Sequence, residues 1–238
     1  MTPDAIAERV AALPWAGLRE ELDTRGFACS AQLLSAAECR DVAALYADTA
    51  RFRSRIVMER HNFGRGEYQY FAEPLPELVL GLRESLYTEL APVANAWSER
   101  LKSERRFPPT LAEFREDCCA VAQLRPTPLL LRYGPGDFNC LHQDVYGELV
   151  FPIQLAVLLS EPGEEFTGGE FVLTEQRPRM QSRVDVVPLR RGDAVMFAVR
   201  DRPVAGKRGD YRVKMRHGVS RILSGSRLTL GVIFHDAA

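Results

Sequence analysis

The sequence predicts an α+β protein in which an antiparallel jelly roll is buttressed by a mainly helical N-terminal half. Three observations carry that prediction. Apolar residues recur at helical spacing through much of residues 1–128. From about Leu129 the pattern changes to short apolar or alternating runs of strand length. Gly, Pro and Asp separate those runs, at Gly134-Pro135-Gly136-Asp137, Glu161-Pro162-Gly163, Arg191-Gly192-Asp193 and Ser224-Gly225. No internal repeat, low-complexity tract or linker interrupts the 238 residues, so they read as one domain, 1–128 supporting a core at 129–238.

Pro3 to Leu13 and Gly17 to Arg25 carry apolar residues at helical spacing. Ser35-Ala36-Ala37-Glu38 opens a third helix with a capping-box pattern, and that helix continues through Val42, Leu45 and Tyr46. Pro76 to about Tyr87 and Ala91 to about Lys102 form amphipathic segments expected to break near Pro92, and Pro109 to Ala122 reads as a further helix. Residues 51–71 differ in character. Arg51-Phe52-Arg53-Ser54-Arg55 and then Met58 to Phe71 mix arginines, aromatics and amides with Gly64 and Gly66, the composition either of a substrate lid or of an aromatic-rich loop packed over the sheet edge. The expected strands are Leu129–Tyr133, Phe151–Leu159, Gly169–Leu173, Arg183–Pro188, Ala194–Val199, Arg216–Ile222 and Arg227–Phe234.

Composition removes several function classes. Net charge is −1, which offers no global argument for binding nucleic acid or anionic membrane. No run of eighteen apolar residues exists and Met1-Thr2-Pro3-Asp4 does not open a signal peptide, so a soluble, cytoplasmic protein without membrane association is expected. Five cysteines, at 29, 39, 118, 119 and 140, form no C-x-x-C pair, which points to reduced thiols rather than a disulfide framework or zinc knuckle. No obligate protein partner can be inferred.

The chemistry begins with His142 and Asp144. On a strand, side chains at i and i+2 share a face, so both can reach one metal while Gln143 turns away. His217, one of only four histidines, can close the set. Two neutral imidazoles and one carboxylate make the facial triad of non-haem Fe(II) oxygenases, with positions left open for co-substrate and dioxygen.

The flanking motifs resemble the Fe(II)/2-oxoglutarate-dependent dioxygenase superfamily between about Leu129 and His235. They are Tyr133-Gly134-Pro135-Gly136, His142-x-Asp144, Gly168-Gly169-Glu170-Phe171, Arg191-Gly192-Asp193-Ala194-Val195-Met196-Phe197, His217-Gly218-Val219 and Gly225-Ser226-Arg227-Leu228-Thr229. The strings His142–Pro152 and Arg177–Arg183 resemble a narrower group of bacterial oxygenases predicted to modify nucleic acids as AlkB-type demethylases do, and that likeness extends into Met58–Phe71. The resemblance implies a double-stranded β-helix of cupin-like form. It also implies Fe(II) on His142, Asp144 and His217, with 2-oxoglutarate and O2 as co-substrates. Arg227 would clamp the distal carboxylate through its planar fork, Thr229 would add a hydroxyl, and Tyr133 would hydrogen-bond a co-substrate carboxylate. The implied reaction decarboxylates 2-oxoglutarate to succinate and hydroxylates or demethylates a second substrate. The AlkB pattern has a second arginine where this chain has Ile233 and an asparagine where it has Leu131, which draws co-substrate binding toward the hydroxylase branch.

The expected substrate is a modified nucleobase in nucleic acid, read by Arg60, His61, Asn62, Tyr68 and Gln69 of the lid. Arg200, Arg202, Lys207, Arg208, Arg212, Lys214, Arg216 and Arg221 face only Asp201 and Asp210 in sequence and would form either a basic rim at the mouth, with Arg212 and Lys214 central, or a solvated loop. Arg221 is expected to be solvated and His235 structural or exposed. The alternatives are hydroxylation of a protein side chain or free amino acid, and a non-catalytic jelly-roll binding module.

Overall fold

The computed structural model describes residues 3–207 and 209–238, apart from the side chains of Pro3 and Asp4. Met1, Thr2 and the Arg208 of the basic stretch lie outside the described residues. In chain order, helices α1 (Pro3–Ala11) and α2 (Trp15–Arg25) lead into strand β1 (Phe27–Ser30) and helix α3 (Ala36–Ala44). Strands β2 (Phe52–Val57), β3 (Gly64–Arg65) and β4 (Glu67–Phe71) precede helices α4 (Glu77–Arg100) and α5 (Leu111–Ala120). The remainder is β: β5 (Leu129–Tyr133), β6 (Phe138–His142), β7 (Ile153–Leu158), β8 (Phe166–Gly168), β9 (Phe171–Gln176) and β10 (Arg183–Val187). Then come β11 (Ala194–Ala198), β12 (Asp201–Gly206), β13 (Gly209–Val219), β14 (Ile222–Gly225) and β15 (Arg227–Val232).

These strands make the expected jelly roll. A major antiparallel sheet runs β1-β11-β7-β15-β5-β4-β2, and a minor sheet runs β10-β9-β13-β6-β3 with β12 folded back on β13. Strand alternation divides the core in two. On β7, Leu155 and Val157 join Met196, Leu230 and the α4 residues Val79, Leu82 and Leu86 on the helical side, whereas Ala156 and Leu158 join Val195, Phe197, Phe171 and Leu173 between the sheets. Strands β7 and β11 are buried on both faces, which is why β11 reads as an unbroken apolar run and β7 as one interrupted only by Gln154.

The helical half follows its local signals, with one exception. Ser35 and Glu38 form the capping box on α3, with Glu38 Oε2 accepting the Ser35 N–H at 2.7 Å, and Thr110 with Glu113 forms a second on α5. The break expected near Pro92 does not occur: α4 is one helix with Pro92 inside it. Proline removes one ladder bond and crowds the preceding turn. Leu90, Ala91, Val93, Ala94 and Trp97 are all buried around it, so tertiary packing holds the helix through the defect.

Residues 51–71 are also more regular than expected. Strands β2 and β4 extend the major sheet while β3 pairs with β6, so the segment joins both sheets at one end of the jelly roll. The expected basic loop is the β12–β13 hairpin. Short strands such as Phe27-Ala28-Cys29-Ser30 carry too few residues to show a period.

His235 is fully buried, accepts the Phe151 N–H through Nδ1 at 3.3 Å and leaves Nε2 without a partner among the described residues. Burial pushes its pKa down to about 4. The folded state therefore resists a proton that the unfolded chain accepts below about pH 6.5. Stability is expected to fall by roughly 3 kcal/mol between pH 6.5 and 4 from this group alone. Urea titrations at pH 7 and pH 4.5 should show the drop, and it should shrink in His235→Gln. An equal drop in that variant would assign the acid sensitivity elsewhere.

Candidate metal centre

His142 and His217 face each other across the β6–β13 ladder as direct register partners, their ring centroids 4.1 Å apart. Asp144 completes the group by a different route from the expected strand alternation. Strand β6 ends at His142, and the backbone beyond it carries Asp144 inward while Gln143 donates to the Met215 carbonyl at 2.7 Å. Asp144 Oδ1 lies 3.4 Å from His142 Nε2 and Oδ2 lies 3.2 Å from His217 Nε2. One donor atom from each of the three residues lies within 4.8 Å of the other two, so one metal ion can bind all three.

Neighbouring groups set the protonation that a metal requires. The His142 Nδ1–H donates to the Cys140 carbonyl at 2.7 Å, which leaves the Nε2 lone pair for coordination. Burial alone would push the Asp144 carboxyl up, but hydrogen bonds and charge from both histidines outweigh it and hold the group well below the usual carboxylate range. Burial pushes His217 down, with His142 adding to the effect. At His142 burial is outweighed by the adjacent carboxylate, and the imidazole is raised. Two residues outside the expected site orient the carboxylate. Tyr146 Oη donates to Asp144 Oδ1 at 2.6 Å and Gln154 Nε2 donates to Oδ2 at 2.7 Å. Gln154 did leave a signal, as the one polar residue in the apolar run Ile153–Leu158.

A cavity of about 180 Å³ extends from these residues to Arg227. Arg227 is 1% exposed, its Nη1 donates to Thr229 Oγ1 at 2.5 Å, and its Nε has no partner among the described residues. No described carboxylate lies within ion-pair distance of it. Burial pushes its pKa down to about 10, against smaller opposing effects from Tyr133 and Glu170. A buried cation without a counter-ion at the end of a cavity is a receptor for an anion. Tyr133 is its register partner on β5 and also lines the cavity, its hydroxyl accepting from Asn139 Nδ2 at 3.3 Å. The residues thus fit both groups expected of them: three converging donors for a divalent ion, and a guanidinium with a hydroxyl neighbour for a carboxylate.

The expected substrate residues separate. Tyr68 lines the cavity. Gln69, next on the same strand, points the other way and is buried against the Tyr46 carbonyl at 3.0 Å, so it cannot read a substrate there. Arg60, His61 and Asn62 are exposed on the turn before β3. His61 stacks on Phe63, centroids 5.3 Å apart, and Phe63, 49% exposed and lining the cavity, is the aromatic that the sequence reading passed over.

Of the two arrangements expected for the basic stretch, the rim at the metal mouth is not formed by Arg212 and Lys214. On β13 the side chains of Val213, Met215 and His217 are buried and those of Arg212, Lys214 and Arg216 are exposed on the opposite face. Arg212 and Lys214 therefore face away from the metal residues. Arg202 is buried in an ion pair with Glu175, Arg200 pairs with Asp201 at 3.0 Å, and Arg221 lies over Phe138 and donates to the Gly136 carbonyl.

Comparison with known proteins agrees with this geometry. Residues 66–237 match Oxygenase-NA, a family described as oxygenases catalysing oxidative methylation of damaged DNA. The uncharacterized protein Rv2227 of Mycobacterium tuberculosis (strain ATCC 25618 / H37Rv) is 47% identical over 168 residues, 71% of this chain and 72% of its own length. Among solved structures, a Pseudomonas putida prolyl-4-hydroxylase superposes with a TM-score of 0.56 at 17% identity, covering 94% of this chain and all (100%) of that one. A Trichoplax adhaerens prolyl hydroxylase, solved with a hypoxia inducible factor peptide fragment, gives 0.55 at 14% identity over 95% of this chain and 90% of its own. At such identities these two structures establish a shared fold.

Proposed function

Because the chain belongs to the Oxygenase-NA family, within the 2-oxoglutarate- and Fe(II)-dependent oxygenases, we propose that it removes or hydroxylates an alkyl group on a nucleobase of nucleic acid. When bound, Fe(II) and 2-oxoglutarate supply the oxidation: O2 is consumed, 2-oxoglutarate becomes succinate and carbon dioxide, and a substrate C–H bond is hydroxylated. His142, Asp144 and His217 would hold the metal on one side and leave the cavity side open. Arg227 would take the distal carboxylate of 2-oxoglutarate, with Thr229 and Tyr133 beside it. Tyr146 and Gln154 keep the Asp144 carboxylate turned toward both imidazoles. A hydroxylated N-methyl group would leave as formaldehyde and restore the amine.

The observation that favours a planar substrate is the aromatic approach to the metal. Phe63 is half exposed at the mouth with His61 stacked on it, and Tyr68 lies within. A base entering between these rings would stack, which is worth about 1–3 kcal/mol per base. One observation favours hydroxylation of a peptide side chain instead. Leu131 and Ile233 both line the cavity, an apolar wall where the AlkB pattern has an amide and a second arginine.

The two readings separate in one assay. With Fe(II), 2-oxoglutarate and N-methylated single-stranded oligonucleotide, succinate and formaldehyde should form in equal amounts. Phe63→Ala should raise the oligonucleotide KM about 5- to 100-fold with little change in the 2-oxoglutarate KM. Succinate formation driven by proline-containing peptides, without formaldehyde, would transfer the proposal to the peptide reading.

A further inference from the structure

A second cavity, of about 310 Å³, lies behind the backbone segment that presents Asp144. Asp144 and Tyr146 line the metal cavity, whereas Val145, Gly147 and Glu148 line this one, so alternate residues of one segment form a partition between the two. The other walls come from Trp97 and Ser98 of α4, from Arg105, and from Arg200, Asp201 and Arg212 at the β12–β13 hairpin. Arg200 and Arg212, two candidates for a rim at the metal mouth, are therefore found here.

Their arrangement is that of an anion receptor. Arg200 Nε and Arg212 Nη1 lie 3.0 Å and 3.5 Å from the same oxygen, Asp201 Oδ2, so two guanidinium groups converge on one point with most of their donors unused. Arg105 adds a third cation, against the carboxylates of Asp201 and Glu148. Two polar atoms of these wall residues, the indole Nε1 of Trp97 and Asp201 Oδ1, have neither a partner among the described residues nor surface open to the cavity. The wall thus offers guanidinium forks as its donors.

We propose that this cavity binds a phosphate group. Guanidinium forks match phosphate oxygens in pairs, and Arg105, Arg200 and Arg212 bring three such forks to its walls. The phosphate can come from a free nucleotide or from a nucleic acid strand. Occupancy is coupled to the metal residues through the partition. Gln123 holds the partition from behind, donating to the Tyr146 and Leu149 carbonyls at 3.1 and 3.0 Å and accepting the Leu149 N–H at 2.7 Å. Gly147, at φ +97°, packs so closely that an added Cβ would lie 2.5 Å from Gln123 Cδ. A ligand that fills the cavity presses the segment against this support and steadies Asp144, so metal and phosphate should each tighten the other's binding by the same factor.

The site does not depend on the nucleobase reading and is measured without turnover. The 238-residue chain, loaded with Mn(II), is titrated calorimetrically with inorganic phosphate, a nucleoside monophosphate and a single-stranded oligonucleotide. Saturable binding with Kd below about 1 mM is expected for at least one. R200A/R212A should weaken it at least tenfold, while Arg216→Ala, on the exposed face of β13, leaves it unchanged. Tightest binding of the monophosphate identifies a free nucleotide, and tightest binding of the oligonucleotide identifies a strand. Absence of saturable heat with all three probes, or binding that survives R200A/R212A in a protein with unchanged melting, overturns the site. In the reverse titration the Mn(II) Kd should fall about fivefold at saturating phosphate ligand, and an unchanged Kd overturns the coupling. Wild-type protein that binds no Mn(II) would count against the metal triad, while phosphate binding is read separately on the same preparation.

Discussion

Arg227→Met should make the protein more stable and weaken its binding of 2-oxoglutarate by at least about 30-fold. The buried guanidinium has no carboxylate partner, and the depression of its pKa from 12.5 to about 10 corresponds to a desolvation cost of about 3 kcal/mol. Methionine fills much of the same space without charge. The co-substrate-free variant is therefore expected to gain about 1–3 kcal/mol in chemical denaturation. Loss of a buried charged fork costs the ligand about 2–5 kcal/mol, so the 2-oxoglutarate Kd should rise from about 30-fold to several thousandfold in calorimetry with Mn(II) present. Arg227→Lys keeps the charge and loses the fork, and should fall between the two. A destabilised Arg227→Met that still binds 2-oxoglutarate would remove Arg227 from the co-substrate role.

Asp144→Ala should abolish Mn(II) binding, and Tyr146→Phe should weaken it about 10- to 100-fold, the loss typical of a residue that orients a ligand. Asp144 is the only anion of the triad, and its two oxygens approach both imidazoles. Removing it leaves two neutral nitrogens across a ladder. Tyr146 contributes one 2.6 Å hydrogen bond to that carboxylate, and bonds to charged groups are worth about 1.5–3 kcal/mol. The phenol body stays packed in the variant, so the melting temperature should fall only by what the lost bond contributes, about 3–12 °C. Tyr146→Phe with wild-type Mn(II) affinity would show that the phenol does not orient the ligand.

Periodicity and caps made most of the fold legible. Ser35-x-x-Glu38 announces its helix through bonds that close within four residues, and the apolar runs of β11 and, but for Gln154, of β7 announce strands buried on both faces. Pro92 misled because its local cost is visible in sequence and the burial that offsets it is not. The triad was legible because His142, Asp144 and His217 occur with flanking turns at recognisable distances. Tyr146 and Gln154 were harder to see, since their importance lies in which oxygen of Asp144 each one meets.

The charged residues show the division most clearly. The sequence by itself determined which residue types are present: a His-x-Asp with a distant histidine, an arginine two before a threonine, and a run of cations before His217. Only the tertiary structure decided the direction of each side chain. Strand alternation turns Tyr68 into the cavity and Gln69 out of it, and points His217 inward while Arg212 and Lys214 face outward. The hairpin then brings Arg200 and Arg212 to a different cavity. The physical reason is that a strand side chain's face depends on its parity and on which sheet the strand joins. That pairing is chosen by contacts between residues far apart in the chain, and no local run of sequence contains them.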